Sequence, residues 1–90
     1  MTFEWDIRKS TANKLKHGID FRVAQDLWLD ENRIEISAPR PVEERTILIA
    51  RLHEKLWTAV YTVRGGAIRL ISVRRSRTKE TELYEKERAG

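Results

Sequence analysis

The sequence predicts an α+β fold, with two N-terminal helices packed on an antiparallel sheet and a third helix at the C-terminus. The first third of the chain holds two helix patterns, each preceded by an aspartate that can cap it. Residues 33–73 are rich in β-branched and aromatic residues and are divided by hairpin-length breaks. Thr78 is followed by Glu80 and Glu82, and acidic residues in the first turns are typical of the start of a helix. Since the chain has 90 residues, we expect one domain over residues 1–90.

The N-terminal segment predicts a short strand followed by two helices. Phe3 and Trp5 alternate with acidic residues, which favours an edge or starter strand. Asp6 is predicted to cap a helix that ends at Gly18, and Asp20 to cap a second helix. The first helix has a weak apolar stripe of Ile7, Thr11 and Leu15, with Ala12. The second is expected to bury one face, formed by Phe21, Ala24, Leu27 and Trp28.

The rest of the chain predicts a sheet and a final helix. Residues 33–37 alternate with period two, and the proline-containing segment 38–41 ends that strand. Residues 45–52, 56–63 and 68–73 then form three strands of an antiparallel meander. We expect one face of this sheet to be covered by the helices and the other to be open to a ligand. The helix capped by Thr78 has only Leu83 and Tyr84 as large apolar residues, which leaves it free to dock on a partner chain.

The charge pattern indicates a polyanion as ligand. Residues 46–79 contain eight Lys or Arg and a single acid, Glu54, whereas the whole chain carries +4. The alternative is a set of solvated strand edges whose charges prevent aggregation. No apolar run is long enough to span a membrane, no signal peptide is visible and there is no cysteine. We therefore expect a cytoplasmic protein without disulfides, thiolate zinc sites or cysteine nucleophiles.

No metal or cofactor is expected. The two histidines are not spaced as zinc ligands. Asp26 and Asp30 are better interpreted as part of a polar helix face than as a cation site. Gly65 and Gly66 belong to a hairpin turn, since no helix follows them as it would follow a phosphate-binding loop.

The candidate catalytic residues are those of metal-free RNA cleavage, which needs a proton acceptor, a proton donor and cations for the developing charge. His17 lies in a tight loop and is the candidate acid or base; the alternative is that it only binds the last carbonyls of its helix. His53 is interpreted as an exposed hairpin residue. The predicted catalytic set is His17, Lys16, Arg64, Arg69 and Arg75. The predicted RNA-binding set is Tyr61, Ser72, Arg74, Arg77, Lys79 and Tyr84.

Two of these assignments depend on how the strands are oriented. If the last strand is regular, Arg69 and Arg75 share one face and Arg74 points to the other. Tyr61 and Tyr84 could stack on bases or belong to the core, and for Tyr61 its alternation with Trp57 and Val63 favours the core.

Two groups of residues carry a resemblance to a known family. The first consists of residues 3–6, Lys9, Asn13 and the Lys-His-Gly run 16–18, and continues through Phe21 and Ala24. The second consists of Glu44-Arg45, residues 60–62, Arg64, residues 68–75, Glu80 and Tyr84. In these residues the chain resembles the BrnT family of bacterial type II toxins.

This resemblance implies a RelE-like fold and a ribonuclease that arrests translation. It also implies a cognate antitoxin with a ribbon-helix-helix DNA-binding part, through which the toxin would reach operator DNA. The expected ligands are thus RNA and the antitoxin, with no membrane. The alternative is a non-catalytic module that binds nucleic acid or only its antitoxin.

Overall fold

The computed structural model describes residues 1–38, 41 and 43–89. The described part is an α+β structure, as predicted. Its elements are β1 Phe3–Glu4, α1 Ile7–His17, α2 Phe21–Ala24, a 3-10 segment Gln25–Leu29, β2 Ile34–Ala38, β3 Arg45–Leu52, β4 Lys55–Arg64, β5 Ala67–Arg75 and α3 Thr78–Ala89. The predicted break at residues 38–41 lies partly outside the described residues. No helix in the described ranges has the length and apolar character needed to cross a membrane.

The sheet has the strand order β1-β5-β4-β3-β2. Strands β3 to β5 form the predicted antiparallel meander, because short turns place each strand beside the one before it. Strand β2 also pairs antiparallel with β3. The prediction of a purely antiparallel sheet was wrong, since β1 pairs in parallel with β5. Strands β1 and β5 are far apart in the sequence, so the alternation of residues within β1 could not predict this pairing.

Helix α1 is bounded as predicted but buries a different face. The Asp6 carboxylate accepts the N–H of Arg8 at 2.8 Å, and Gly18, at φ 80°, ends the helix. The predicted apolar stripe was wrong, because Ile7 and Leu15 are largely exposed. The buried side chains of α1 are Ser10 and Asn13, and the Ser10 hydroxyl accepts the N–H of Phe21 at 2.9 Å. Polar contacts to neighbouring backbone thus fix the orientation of this helix.

The sheet buries apolar side chains on both faces. Its front face carries Leu48, Ala50, Trp57, Ala59, Tyr61, Leu70 and Val73, which pack with Phe21, Ala24, Leu27 and Trp28. That second group confirms the predicted buried face, although the segment is one α-turn followed by a 3-10 segment. The rear face carries Ile49 and Leu56, which pack with Tyr84 of α3. The expectation of an open second face was therefore wrong where α3 covers it.

Helix α3 is anchored within its own chain, contrary to the expectation that it would need a partner. Tyr84 is only 1% exposed, and its hydroxyl donates to Asp30 Oδ2 at 2.7 Å. Arg51 lies over the same ring, 5.6 Å from its centroid. The helix begins at Thr78, so Arg77 rather than Thr78 precedes it, and the Glu80 carboxylate accepts the Arg77 N–H at 2.7 Å.

A β-bulge in β5 changes which side chains share a face. Val60 pairs with Ser72, whereas Tyr61 pairs with Leu70, so Ile71 is the additional residue. The prediction that Arg69 and Arg75 share a face was consequently wrong. Arg75 lies on the front face opposite Trp57, while Arg69, Ser72 and Arg74 lie on the rear face.

Candidate functional site

A basic cleft of about 440 Å³ lies on the front side, between the end of α1 and the turn that joins β3 to β4. Its ionisable lining residues are Lys14, His17, His53, Lys55 and Arg75. No Asp or Glu of the described chain lines it. The cleft therefore brings positive charge and both imidazoles of the sequence to one concave site.

His17 reaches the cleft because α1 is fixed at its C-terminal end. The Asn13 amide donates to the carbonyls of Ile19 and Val73, at 2.8 Å each, and accepts the Val73 N–H at 3.1 Å. Ser10, Asn13 and His17 follow the i, i+3, i+7 spacing of one helix face, and His17 is half-buried. Lys16 is exposed and does not line the cleft, so of these two neighbouring residues only His17 belongs to it.

His53 was missed by the sequence interpretation, which treated it as an exposed hairpin residue. It is exposed, but it also lines the cleft. His53 and Glu54 form the two-residue turn at φ 52° and 65°, in the left-handed region that glycine or asparagine usually occupies. Two non-glycine residues in such a turn are a signal that could have singled out His53, because local strain gathers at functional sites.

Arg75 is the one predicted catalytic arginine that lines the cleft. Its guanidinium lies over the Trp57 ring, 5.6 Å from the ring centroid. Among the described residues it has no ion pair, so its donors are available to a ligand. The aromatic contact restrains this cation without neutralising it.

The other predicted arginines of this group lie elsewhere and are paired with carboxylates. Arg64 contacts Glu43 at 3.1 Å at the exposed end of β4, and Arg69 contacts Glu4 at 2.8 Å on the rear face. Neither lines the cleft. Each is partly neutralised by its carboxylate partner, so either would attract a phosphate less strongly than an unpaired arginine.

Arg74 belongs to a polar cluster at the start of α3. It donates two hydrogen bonds to the Glu80 carboxylate, at 2.8 and 2.7 Å, and Thr58 donates to Glu80 at 3.0 Å. The Arg74 hydrogen bonds are the largest cause that lowers the pKa of Glu80 to about 2, and those bonds in turn raise the pKa of Arg74. Both groups remain charged at neutral pH and join β5 to α3.

The predicted RNA-binding tyrosines are buried. Tyr61 lies in the core on the front face, and its hydroxyl donates a hydrogen bond to Glu35. Burial is the largest cause that raises the pKa of Tyr61 to about 12, and the contact with Glu35 is the second. Tyr84 of α3 is buried against the rear face of the sheet, and burial raises its pKa as well. Neither ring is available to stack on a base in this structure. Ser72 is half-buried on the rear face, and Arg77 and Lys79 are exposed around the start of α3, outside the cleft.

Comparison with protein families defines the class of this protein. Residues 5–80 match a family model described as "Ribonuclease toxin, BrnT, of type II toxin-antitoxin system". The class is thus the ribonuclease toxins of type II toxin-antitoxin systems. Within it, this chain belongs to the BrnT family, as the sequence resemblance predicted. Among the curated proteins compared with it, none matches the chain. In the described ranges, no three His, Asp or Glu side chains come together as metal ligands would.

Proposed function

We propose that the protein is a metal-independent endoribonuclease that inhibits translation in the bacterial cytoplasm until a cognate antitoxin neutralises it. The observation that carries this proposal is the basic cleft, where His17, His53 and Arg75 lie together without a carboxylate. Membership of a ribonuclease toxin family supports the same activity. The proposal includes a RelE-like architecture and an antitoxin with a ribbon-helix-helix part that carries the complex to operator DNA.

The proposed reaction is an intramolecular transesterification. An imidazole of the cleft accepts the proton of the ribose 2′-hydroxyl, whose oxygen attacks the adjacent phosphorus. The bond from phosphorus to the 5′-oxygen breaks, and the second imidazole donates a proton to that oxygen. The products are a 2′,3′-cyclic phosphate and a 5′-hydroxyl. Arg75, with Lys14 and Lys55, stabilises the charge that develops on the phosphoryl oxygens.

The remaining predicted residues are assigned supporting roles. Lys16 strengthens the positive potential at the end of α1, while Arg64, Arg69 and Arg74 contact phosphates through the N–H groups that their carboxylate partners leave free. Ser72, Arg77 and Lys79 are placed to contact RNA outside the cleft. Tyr61 and Tyr84 support the site from the core.

Cleavage of a labelled RNA by the purified protein in excess EDTA tests the proposal. We expect cleavage with cyclic or 3′-phosphate and 5′-hydroxyl ends and no cleavage of DNA, because DNA lacks the attacking 2′-hydroxyl. His17→Ala is expected to lower the rate about 100-fold or more, since general acid–base groups contribute at least that much. Arg88→Ala, which removes an exposed cation of α3 outside the cleft, is the matched control.

Two results would contradict the proposal. Loss of cleavage on chelation, or 5′-phosphate ends, would exclude this mechanism. RNA binding without cleavage by the unaltered protein would favour the non-catalytic alternative, in which the cleft only holds a nucleic acid.

A further inference from the structure

The exposed side of α1 carries a groove that no residue of the described chain covers. Ile7 is 75% exposed and Leu15 is 85% exposed, and with Thr11 they form an i, i+4, i+8 stripe along the helix. The stripe borders a groove of about 390 Å³ that Trp5 also lines. Large apolar side chains aligned on one helix face and bordering a groove are typical of a protein interface.

The charges around the groove define the chemistry of its ligand. Helix α1 contains four Lys or Arg and no Asp or Glu. Lys14 and Arg22 line the groove, and its one carboxylate, Asp20, already accepts the N–H of Val23 at 2.9 Å. An apolar stripe with a basic border fits an amphipathic segment whose polar side is acidic. A second copy of α1 would instead place like charges together.

We propose that this groove docks the antitoxin through an acidic amphipathic segment. The inference rests on the proposed function for the existence of such a partner, which membership of a type II toxin-antitoxin family supports. It places the interface on the outer side of α1 and not on α3, where Tyr84 is already buried by its own chain.

The position of Lys14 links docking to inhibition. Lys14 lines both the groove and the basic cleft, so one side chain borders the two sites. A carboxylate of the docked segment that pairs with Lys14 removes a cation from the cleft and places negative charge at its entrance. RNA is then repelled without any rearrangement of His17 or Arg75.

The test compares Leu15→Glu with Leu29→Glu. Both leucines are mostly exposed, Leu29 at 76%, so neither variant is expected to unfold the protein, but only Leu15 lies in the groove. Calorimetric titration with the purified cognate antitoxin is expected to show binding weakened about tenfold or more by Leu15→Glu and changed less than twofold by Leu29→Glu. Because a carboxylate beside Lys14 would itself repel RNA, cleavage is compared with the neutral variant Leu15→Gln, which is expected to cleave RNA as the unaltered protein does and to resist inhibition by the antitoxin.

Equal affinity of the antitoxin for Leu15→Glu and Leu29→Glu would overturn the inference. It would also be overturned if light scattering showed that the free protein is a dimer which Leu15→Glu dissociates, since the occupant would then be a second copy. The binding result does not depend on catalysis. If the unaltered protein fails to cleave RNA but Leu15→Glu still weakens antitoxin binding, the proposed activity is wrong and the docking site stands.

Discussion

His53 has a strained backbone conformation and also carries one of the two imidazoles proposed to act in catalysis. Its φ of 52° suits glycine better than histidine, so His53→Gly is expected to stabilise the protein by about 1 kcal/mol while lowering RNA cleavage about 100-fold. Glu54→Gly relaxes the neighbouring φ of 65° without removing an imidazole, and is expected to stabilise the protein and leave cleavage intact. Urea unfolding and cleavage rates measure the two effects. Full activity of His53→Gly would show that this imidazole takes no part in the proton transfers.

Glu80 contributes to the free energy of unfolding in a way that depends on pH in the acid range. Because the Arg74 hydrogen bonds lower its pKa from 4.5 to about 2, its contribution is complete above about 4.5 and is lost as the pH falls towards 2. Glu80→Gln is expected to lower the free energy of unfolding at pH 7 by about 1–2 kcal/mol, a value reduced for partial solvent screening. The difference from the unaltered protein should shrink in urea titrations between pH 4.5 and 2. A difference that does not change with pH would assign the effect to packing.

Helix α3 is expected to be ordered in the free toxin because Tyr84 is buried there. Tyr84→Phe keeps the ring and removes only the hydrogen bond to Asp30, so the free energy of unfolding should fall by about 1–2 kcal/mol. Tyr84→Ala also removes the packing with Ile49 and Leu56 and should cost about 3–5 kcal/mol. Urea unfolding compares the variants, and hydrogen exchange measures α3 directly. Unprotected α3 amides in the free protein would restore the earlier expectation that a partner completes this helix.

The elements that sequence analysis predicted well are those fixed by neighbouring residues. Asp6 and Gly18 bound α1 through local hydrogen bonds, and two short turns set the order of the meander. The bulge at Ile71 and the parallel pairing of β1 depend on contacts between distant segments, so no local pattern contained them. The buried face of α1 was missed for a different reason. Its side chains bind backbone atoms of other segments, and hydrophobic periodicity does not detect polar anchors.

The same distinction applies to the candidate site. His17 could be predicted because a capped helix end places it in a tight loop. Arg75 was predicted as a phosphate ligand, but its separation from Arg69 followed only from the bulge. His53 escaped notice because the cleft joins two segments 36 positions apart, the end of α1 and the β3–β4 turn. Charge along the sequence indicated an anionic ligand, whereas the fold selected which cations can meet it.

The molecule as a whole carries +4, and the cleft brings three of its Lys or Arg side chains together without a carboxylate of the described chain. RNA affinity is therefore expected to fall about tenfold or more between 50 and 200 mM salt if several phosphates are bound. Arg75→Ala should reduce the slope of log affinity against log salt concentration by about one. Arg33→Ala, at a residue 3.5 Å from Glu35 and outside the cleft, should leave that slope unchanged. Fluorescence anisotropy measures both slopes, and an affinity that is insensitive to salt would exclude phosphate contacts as the main source of binding.

The amide of Asn13 has a consequence for solubility. β1 pairs with β5 only at Ile68 and Arg69. The later residues of β5 therefore have no neighbouring strand of the described chain on their outer edge. At Val73, the Asn13 side chain accepts the N–H and donates to the C=O, as a neighbouring peptide group would. One side chain thus closes an edge that could otherwise recruit a strand from another molecule. A protein that loses this amide would lose the anchor that holds His17 at the cleft and would also gain a route to self-assembly, so the residue that orients α1 also keeps copies of the toxin apart.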